Sequence, residues 1–157
     1  ERRISDIFAV QSEIASTVAS ALASRVASDA GTSGNAADAV TAGGTVNLAA
    51  FDAYLRGRAL YDLAADEASE AAALAQFDAA IAADPAYAAA HAARARSLTT
   101  IANQYGEVTR RAGLYDAAIA SAERAIAIAP DLADAHSTLG FTLFQGRLDA
   151  RAAREPS

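Results

Sequence analysis

Ala80-Ile-Ala-Ala-Asp-Pro85-Ala-Tyr-Ala-Ala-Ala-His91-Ala-Ala-Arg-Ala95 and Ala125-Ile-Ala-Ile-Ala-Pro130-Asp-Leu-Ala-Asp-Ala-His136-Ser-Thr-Leu-Gly140 are one pattern written twice, 45 positions apart. Seven of the sixteen aligned positions match. In a chain this rich in alanine the alanine matches carry little. The pairs Ile81/Ile126, Pro85/Pro130 and His91/His136 carry more, because they fall in a single register. Each proline lacks a backbone N–H and drives the preceding residue out of the α region, so each marks a junction between two helices. A recurring helix-proline-helix unit buries its apolar face on the next unit, which predicts a stacked solenoid.

Outward from these junctions the pattern is helical, and it predicts helices over about 47–63, 67–83, 86–103, 109–129 and 131–145, with a sixth starting near Leu148. Upstream, Ile4, Ile7, Phe8, Val10, Ile14, Val18, Leu22 and Val26 recur at the spacing of one helical stripe, so residues 1–28 form a separate amphipathic N-terminal helix. Residues 29–46, with Gly31, Gly34, Gly43 and Gly44 among small polar residues, read as a flexible linker. The repeats then occupy 47–157, divided 47–85, 86–130 and an incomplete 131–157. A start at Glu1 rather than Met points to a fragment or a processed chain.

The stretch from Gly113 through Ala118, Ala125 and Pro130 to Leu139-Gly140 resembles the second helix of one tetratricopeptide repeat (TPR) and the first helix of the next. Gly57, Ala73, Phe77, Ala80 and Pro85 stand in the corresponding places of an earlier unit, while Ala122 replaces the aromatic that Phe77 supplies. The resemblance implies an all-α, TPR-like helix-turn-helix solenoid wound as a right-handed superhelix. It places small residues at Ala118, Ala125 and Gly140 where helices approach closely. The usual TPR period is about 34, so a 45-residue spacing implies extra residues between Leu98 and Gly113, as lengthened helices or an elaborated turn. A narrower likeness joins Asp6–Ala15 and Tyr54-Leu-Arg-Gly-Arg58 to segments that precede and open the TPR region of bacterial signalling proteins. In those multidomain proteins a class III adenylate cyclase or a winged-helix regulator is joined to regulatory TPRs.

Composition narrows the chemistry. Hydrophobic residues make up 53% but aromatics only 6%, so the apolar content is largely alanine, the strongest helix former. A net charge of −6 gives no field that attracts nucleic-acid phosphates or an anionic membrane, and neither is an expected partner. No cysteine is present, which removes disulfides and thiolate metal sites and fits a cytoplasmic setting. No lysine is present either, so the glycines at 31–44 cannot belong to a phosphate loop. His91 and His136, the only histidines, recur at the repeat spacing, which accounts for them by packing rather than by metal or base chemistry. Asp84, Asp131 and Asp134 lie at helix junctions, where caps and the helix dipole favour acids. No catalytic, metal or cofactor residue is expected, and an enzyme is the least favoured reading.

What remains is a surface. The TPR resemblance implies that the first helix of each unit lines a concave groove, here with Tyr54, Arg58 and Tyr61, then Ala92, Arg96 and Thr99, then Ser137, Phe141 and Phe144. Aromatic and arginine side chains commonly dominate interface energy. The expected role is a protein-interaction scaffold, the regulatory module of a bacterial signalling protein, taking a peptide or helix with an acidic group near Arg58 or Arg96. The alternatives are packing of Tyr54, Tyr61 and Phe141 between helices, and a structural segment whose partner is a second copy of itself. Helix 131–145 carries Leu139, Phe141, Leu143 and Phe144 with little after it to cover them; the N-terminal helix folding back, a second copy, or further repeats downstream would do so, and a homodimer or exchange of the N-terminal helix is the favoured expectation.

Overall fold

The first two described helices start at short polar side chains, and the first of these is Asn47. Its Oδ1 accepts from the Ala49 and Ala50 amides at 3.0 and 3.1 Å, while its Nδ2 donates to the Ala83 carbonyl at 2.8 Å. One residue thus caps the start of one helix and ties it to the end of the next. The computed structural model describes residues 43–63 and 66–152, which form five helices. These are α1 Leu48–Leu63, α2 Glu67–Ala83, α3 Ala88–Gln104, α4 Val108–Ile128 and α5 Ala133–Ala152. Among the described residues there is no strand, and this part of the chain is all-α. The expected helix at 4–28 and linker residues 29–42 lie outside the described residues.

At the start of α2, Asp66 accepts from the Ser69 amide at 2.8 Å and from its hydroxyl at 2.6 Å. Those two bonds hold its carboxyl below the usual carboxylate range. α2 ends at Asp84, ahead of Pro85, and Asp84 Oδ1 accepts from the Ala86 amide at 3.0 Å. That bond closes the turn before α3 and is not the expected cap of a helix amide; Asp84 ends α2 through its backbone N–H, and Tyr87 at the start of α3 makes no side-chain cap bond. Asp134 differs: it lies in the first turn of α5 but pairs with Arg96 of α3.

The 45-residue register reappears in the hydrogen bonds of the two proline turns. The Asp84 and Ala129 amides each bond the carbonyl four residues back, at Ala80 and Ala125. The Tyr87 and Leu132 amides bond Asp84 and Ala129, and the His91 and His136 amides bond Tyr87 and Leu132. Each histidine ring closes the turn from outside: Nε2 lies 3.0 Å from the Pro85 carbonyl in one and 2.6 Å from the Pro130 carbonyl in the other. A carbonyl only accepts, so both rings carry the proton on Nε2. Burial lowers the pKa of His91, partly offset by the Pro85 carbonyl, with Arg124 and Arg94 adding to the depression. The recurrence of the two histidines is explained by this turn.

Packing follows the small side chains. α1 packs on α2, α3 on α4, and each of α2 and α4 also packs on the helix that follows it; α3 contacts α5, and α1 touches α3. Ala73, Ala80, Ala118 and Ala125 are fully buried, so helix backbones approach closely at these positions. Ala50, Ala80, Tyr87 and Ala90 make one cluster, Ala73, Phe77 and Ala93 a second, and Ala92, Ala125 and Ala135 a third. Phe77 is the largest side chain buried at this level, and it fills the space that Gly57 leaves on α1.

Of the two forms expected for the extra residues between Leu98 and Gly113, the longer helices are the one found: α3 has 17 residues, α4 has 21, and only Tyr105–Glu107 separates them. Gly106 serves that short turn, where a Cβ would meet the Ala102 carbonyl at 2.7 Å. Three other expectations need correction. No sixth helix starts near Leu148, because α5 runs through that position to Ala152. Gly140 is not at a close helix approach, since a Cβ there would meet nothing within 4 Å. Finally, the last part of the supposed linker is seated. Gly43 is buried at φ +87°, its carbonyl accepts from the Ala89 amide at 2.9 Å, and Thr45 Oγ1 donates to Asp84. Glycine content signalled freedom, whereas here glycine supplies a backbone angle that other residues rarely adopt.

Candidate partner-binding cleft

Helices α1, α3 and α5 line a cleft of about 240 Å³ with Tyr61, Arg96, Thr99, Thr100, Ser137, Thr138 and Phe141. Five of the nine expected groove residues, Tyr61, Arg96, Thr99, Ser137 and Phe141, meet there, whereas Ala92 is buried against Ala125 and Ala135. Tyr61 is half-buried, and its hydroxyl lies 3.1 Å from Thr100 Oγ1. Arg96 is half-buried and held by Asp134 across the α3–α5 seam. Phe141 is 53% exposed and forms the outer wall.

Tyr54, Arg58 and Phe144 are placed differently. Tyr54 packs between helices, its ring 5.1 Å from that of Tyr87 and 6.0 Å from that of Phe77. Burial pushes the Tyr87 hydroxyl up to about 12, with Tyr54 and Asp84 adding to the rise. Arg58 is exposed one turn further on, and its guanidinium donates to the Tyr54 hydroxyl at 3.3 Å. Phe144 is 60% exposed on α5 and does not line the cleft.

Thr99 forms the floor rather than a reaching contact, since it is 1% exposed. Its hydroxyl lies 2.7 Å from that of Thr142, and the two also reach the Ala95 and Thr138 carbonyls at 2.9 and 2.8 Å. Two hydroxyl protons cannot serve three such contacts at once, so one of the three is always without a proton. Thr99→Val is therefore expected to cost less than about 1 kcal/mol, because Thr142 keeps the Thr138 carbonyl as its acceptor. Urea unfolding checks this, and a loss several times larger would mean that the bond between helices carries the seam.

Thr100 and Thr138 were missed in the sequence, although a signal existed. Arg96, Thr99 and Thr100 stand at helical i, i+3, i+4 spacing, as do Asp134, Ser137 and Thr138. Among the described residues no group of three His, Cys, Asp or Glu side chains is arranged to hold a metal ion. No helix among them is long and apolar enough to cross a membrane. Searches against protein-family models, curated proteins and solved structures found no match to this chain.

Proposed function

We propose that the chain is a TPR-type interaction module, a right-handed helical solenoid whose cleft between α1, α3 and α5 binds a peptide or partner helix through a carboxylate. The reading rests chiefly on one observation: residues from three successive first helices converge on a single cleft with an aromatic wall and a half-buried arginine. Arg96 is already matched to a carboxylate, that of Asp134, so an incoming Asp, Glu or C-terminal carboxylate substitutes for a partner of the same chemistry. The hydroxyls of Thr100, Ser137 and Thr138 offer donors beside it. The repeated hydrogen bonds of the two proline turns, and the contact of α3 with both α1 and α5, support the TPR assignment. The likeness at Tyr54–Arg58 extends the proposal to a regulatory role in a bacterial cytoplasmic signalling protein, without catalysis of its own.

Selection from a displayed random-peptide library tests this directly. Enriched peptides are expected to share an acidic residue, and Arg96→Ala is expected to weaken them at least about tenfold, the loss of roughly one charge-assisted hydrogen bond. Peptides that bind Arg96→Ala as well as the parent chain, or a library that yields no binders, would overturn the assignment of the cleft.

A further inference from the structure

Two of the described helices, α1 and α5, each leave four large apolar side chains exposed, and the outward face of α5 also has a graded distribution of size and charge. Phe141, Phe144 and Leu148 are 53%, 60% and 50% exposed, and they follow one another at helical spacing. Contiguous large side chains left in water are uncommon on a monomer and point to a partner. This face has two unlike halves. Its N-terminal half presents Ala133, Ser137 and Gly140, all exposed, and a Cβ at Gly140 would meet nothing within 4 Å. Its C-terminal half presents the three large side chains. Charge divides the same way: Asp131 and Asp134 lie at the start of the helix, Arg147 and Arg151 at its end.

We infer that two copies of this chain associate through α5, antiparallel about a two-fold axis near Gly140–Phe141. In that arrangement Phe141 of one copy lies over Gly140 of the other, Phe144 over Ser137, and Leu148 over Ala133. Each large side chain meets a small one, and the register is the same for all three pairs. The acidic start of each helix lies beside the basic end of the other, and the two helix dipoles oppose each other favourably. A parallel pairing stacks Phe on Phe, leaves the small half unfilled, and sets Asp against Asp. The face is thus complementary to itself, as an isologous interface requires. Asp134 is held by Arg96 within its own chain, so its charge is shared between the two contacts. One helix pair buries less than about 1,200 Å², which puts the dimer in the weak, reversible class. Phe141 and Ser137 belong both to this interface and to the α1–α3–α5 cleft, whereas Phe144 and Leu148 lie outside the cleft, so substitutions at these two test the dimer without altering the cleft lining.

The test is sedimentation equilibrium of the full 157-residue chain from about micromolar to about millimolar concentration. A reversible monomer–dimer equilibrium is expected, with no species above the dimer. Phe144→Glu is expected to raise the dissociation constant at least about tenfold, with unchanged far-UV circular dichroism, and Leu148→Glu is expected to do the same. Tyr61→Ala, in the cleft, is expected to leave the constant unchanged. The chain has no cysteine, so introduced thiols report register cleanly. Gly140→Cys is expected to form a disulfide with its own copy, since residues near the axis come within the roughly 7 Å that a disulfide spans. Ala133→Cys is expected to cross-link not with itself but with Leu148→Cys in a mixed sample. A monomer at every concentration, a dimer indifferent to both glutamates, growth beyond two copies, or self-linking of Ala133→Cys would each overturn the proposal.

Discussion

Gly57→Ala is expected to destabilise the repeats by about 2 kcal/mol, although alanine is the better helix former by about 1 kcal/mol. A Cβ at Gly57 would lie 2.6 and 2.8 Å from two ring carbons of Phe77. That ring is 1% exposed and closed in by Ala73, Ala93 and Tyr54, so it cannot swing aside as the tip of an exposed side chain would. Either α1 moves away from α2 or the ring leaves its rotamer, and both cost more than the gain in helix propensity. Gly113→Ala is the internal control. Gly113 also sits inside a helix, α4, but a Cβ there meets nothing within 4 Å, so this change is expected to stabilise by about 0.5–1 kcal/mol. The signs are therefore opposite for the same chemical substitution. A double-mutant cycle isolates the cause: in a Phe77→Leu background, Gly57→Ala is expected to lose most of its cost. Equal effects of the two glycine changes in urea unfolding would refute the close approach of α1 and α2.

Glu70→Gln is expected to stabilise the chain at pH 7 by about 1 kcal/mol, worth about 4 °C in Tm. Glu70 lies in the first turn of α2 and is 1% exposed. Ser97 Oγ donates to its Oε2 at 3.3 Å, while Oε1 has no hydrogen-bond partner among the described residues. Burial therefore raises its pKa above the usual 4.5, and the Ser97 hydroxyl offsets only part of the rise. With the folded pKa above the unfolded one, the folded state binds the proton more tightly. Stability then falls as pH rises from the unfolded pKa through the folded one, and the full cost is present above it. Glutamine is neutral throughout and can still accept from Ser97, so its advantage is present at pH 7, shrinks as pH falls from the raised folded pKa towards about 4.5, and is lost below that. Paired unfolding curves of the two proteins at both pH values check this. The idea fails if the difference between them is independent of pH.

The helix–proline–helix register was legible because its causes are local. Pro85 and Pro130 act on their own and their neighbours' backbone angles, and alanine favours helix wherever it stands, so the five helix positions followed from order along the chain. The pair His91 and His136 was legible for the same reason: a repeated turn repeats its bonds, and each ring reaches a carbonyl only six residues back. The insertion was legible in amount but not in form. Nothing local distinguishes a longer α4 from a longer turn until Gly106 is seen wedged against the Ala102 carbonyl.

The cleft divided along a different line. Tyr54 and Tyr61 stand about two turns apart on one stripe of α1, and periodicity gives them the same face. Only the other helices separate their roles: Phe77 and Tyr87 close over Tyr54, while Tyr61 meets Thr100 at the edge of an open cleft. Likewise, Asp134 looks like a cap in the sequence and becomes the partner of Arg96 once α3 lies beside α5. By itself, then, the sequence determined where the first four helices run and which alanines let them approach, but not the extent of α5 or the setting of Gly140. The tertiary structure alone decided which side chains face a cleft, because facing depends on what a distant part of the chain covers, and periodicity within one helix holds no record of its neighbours.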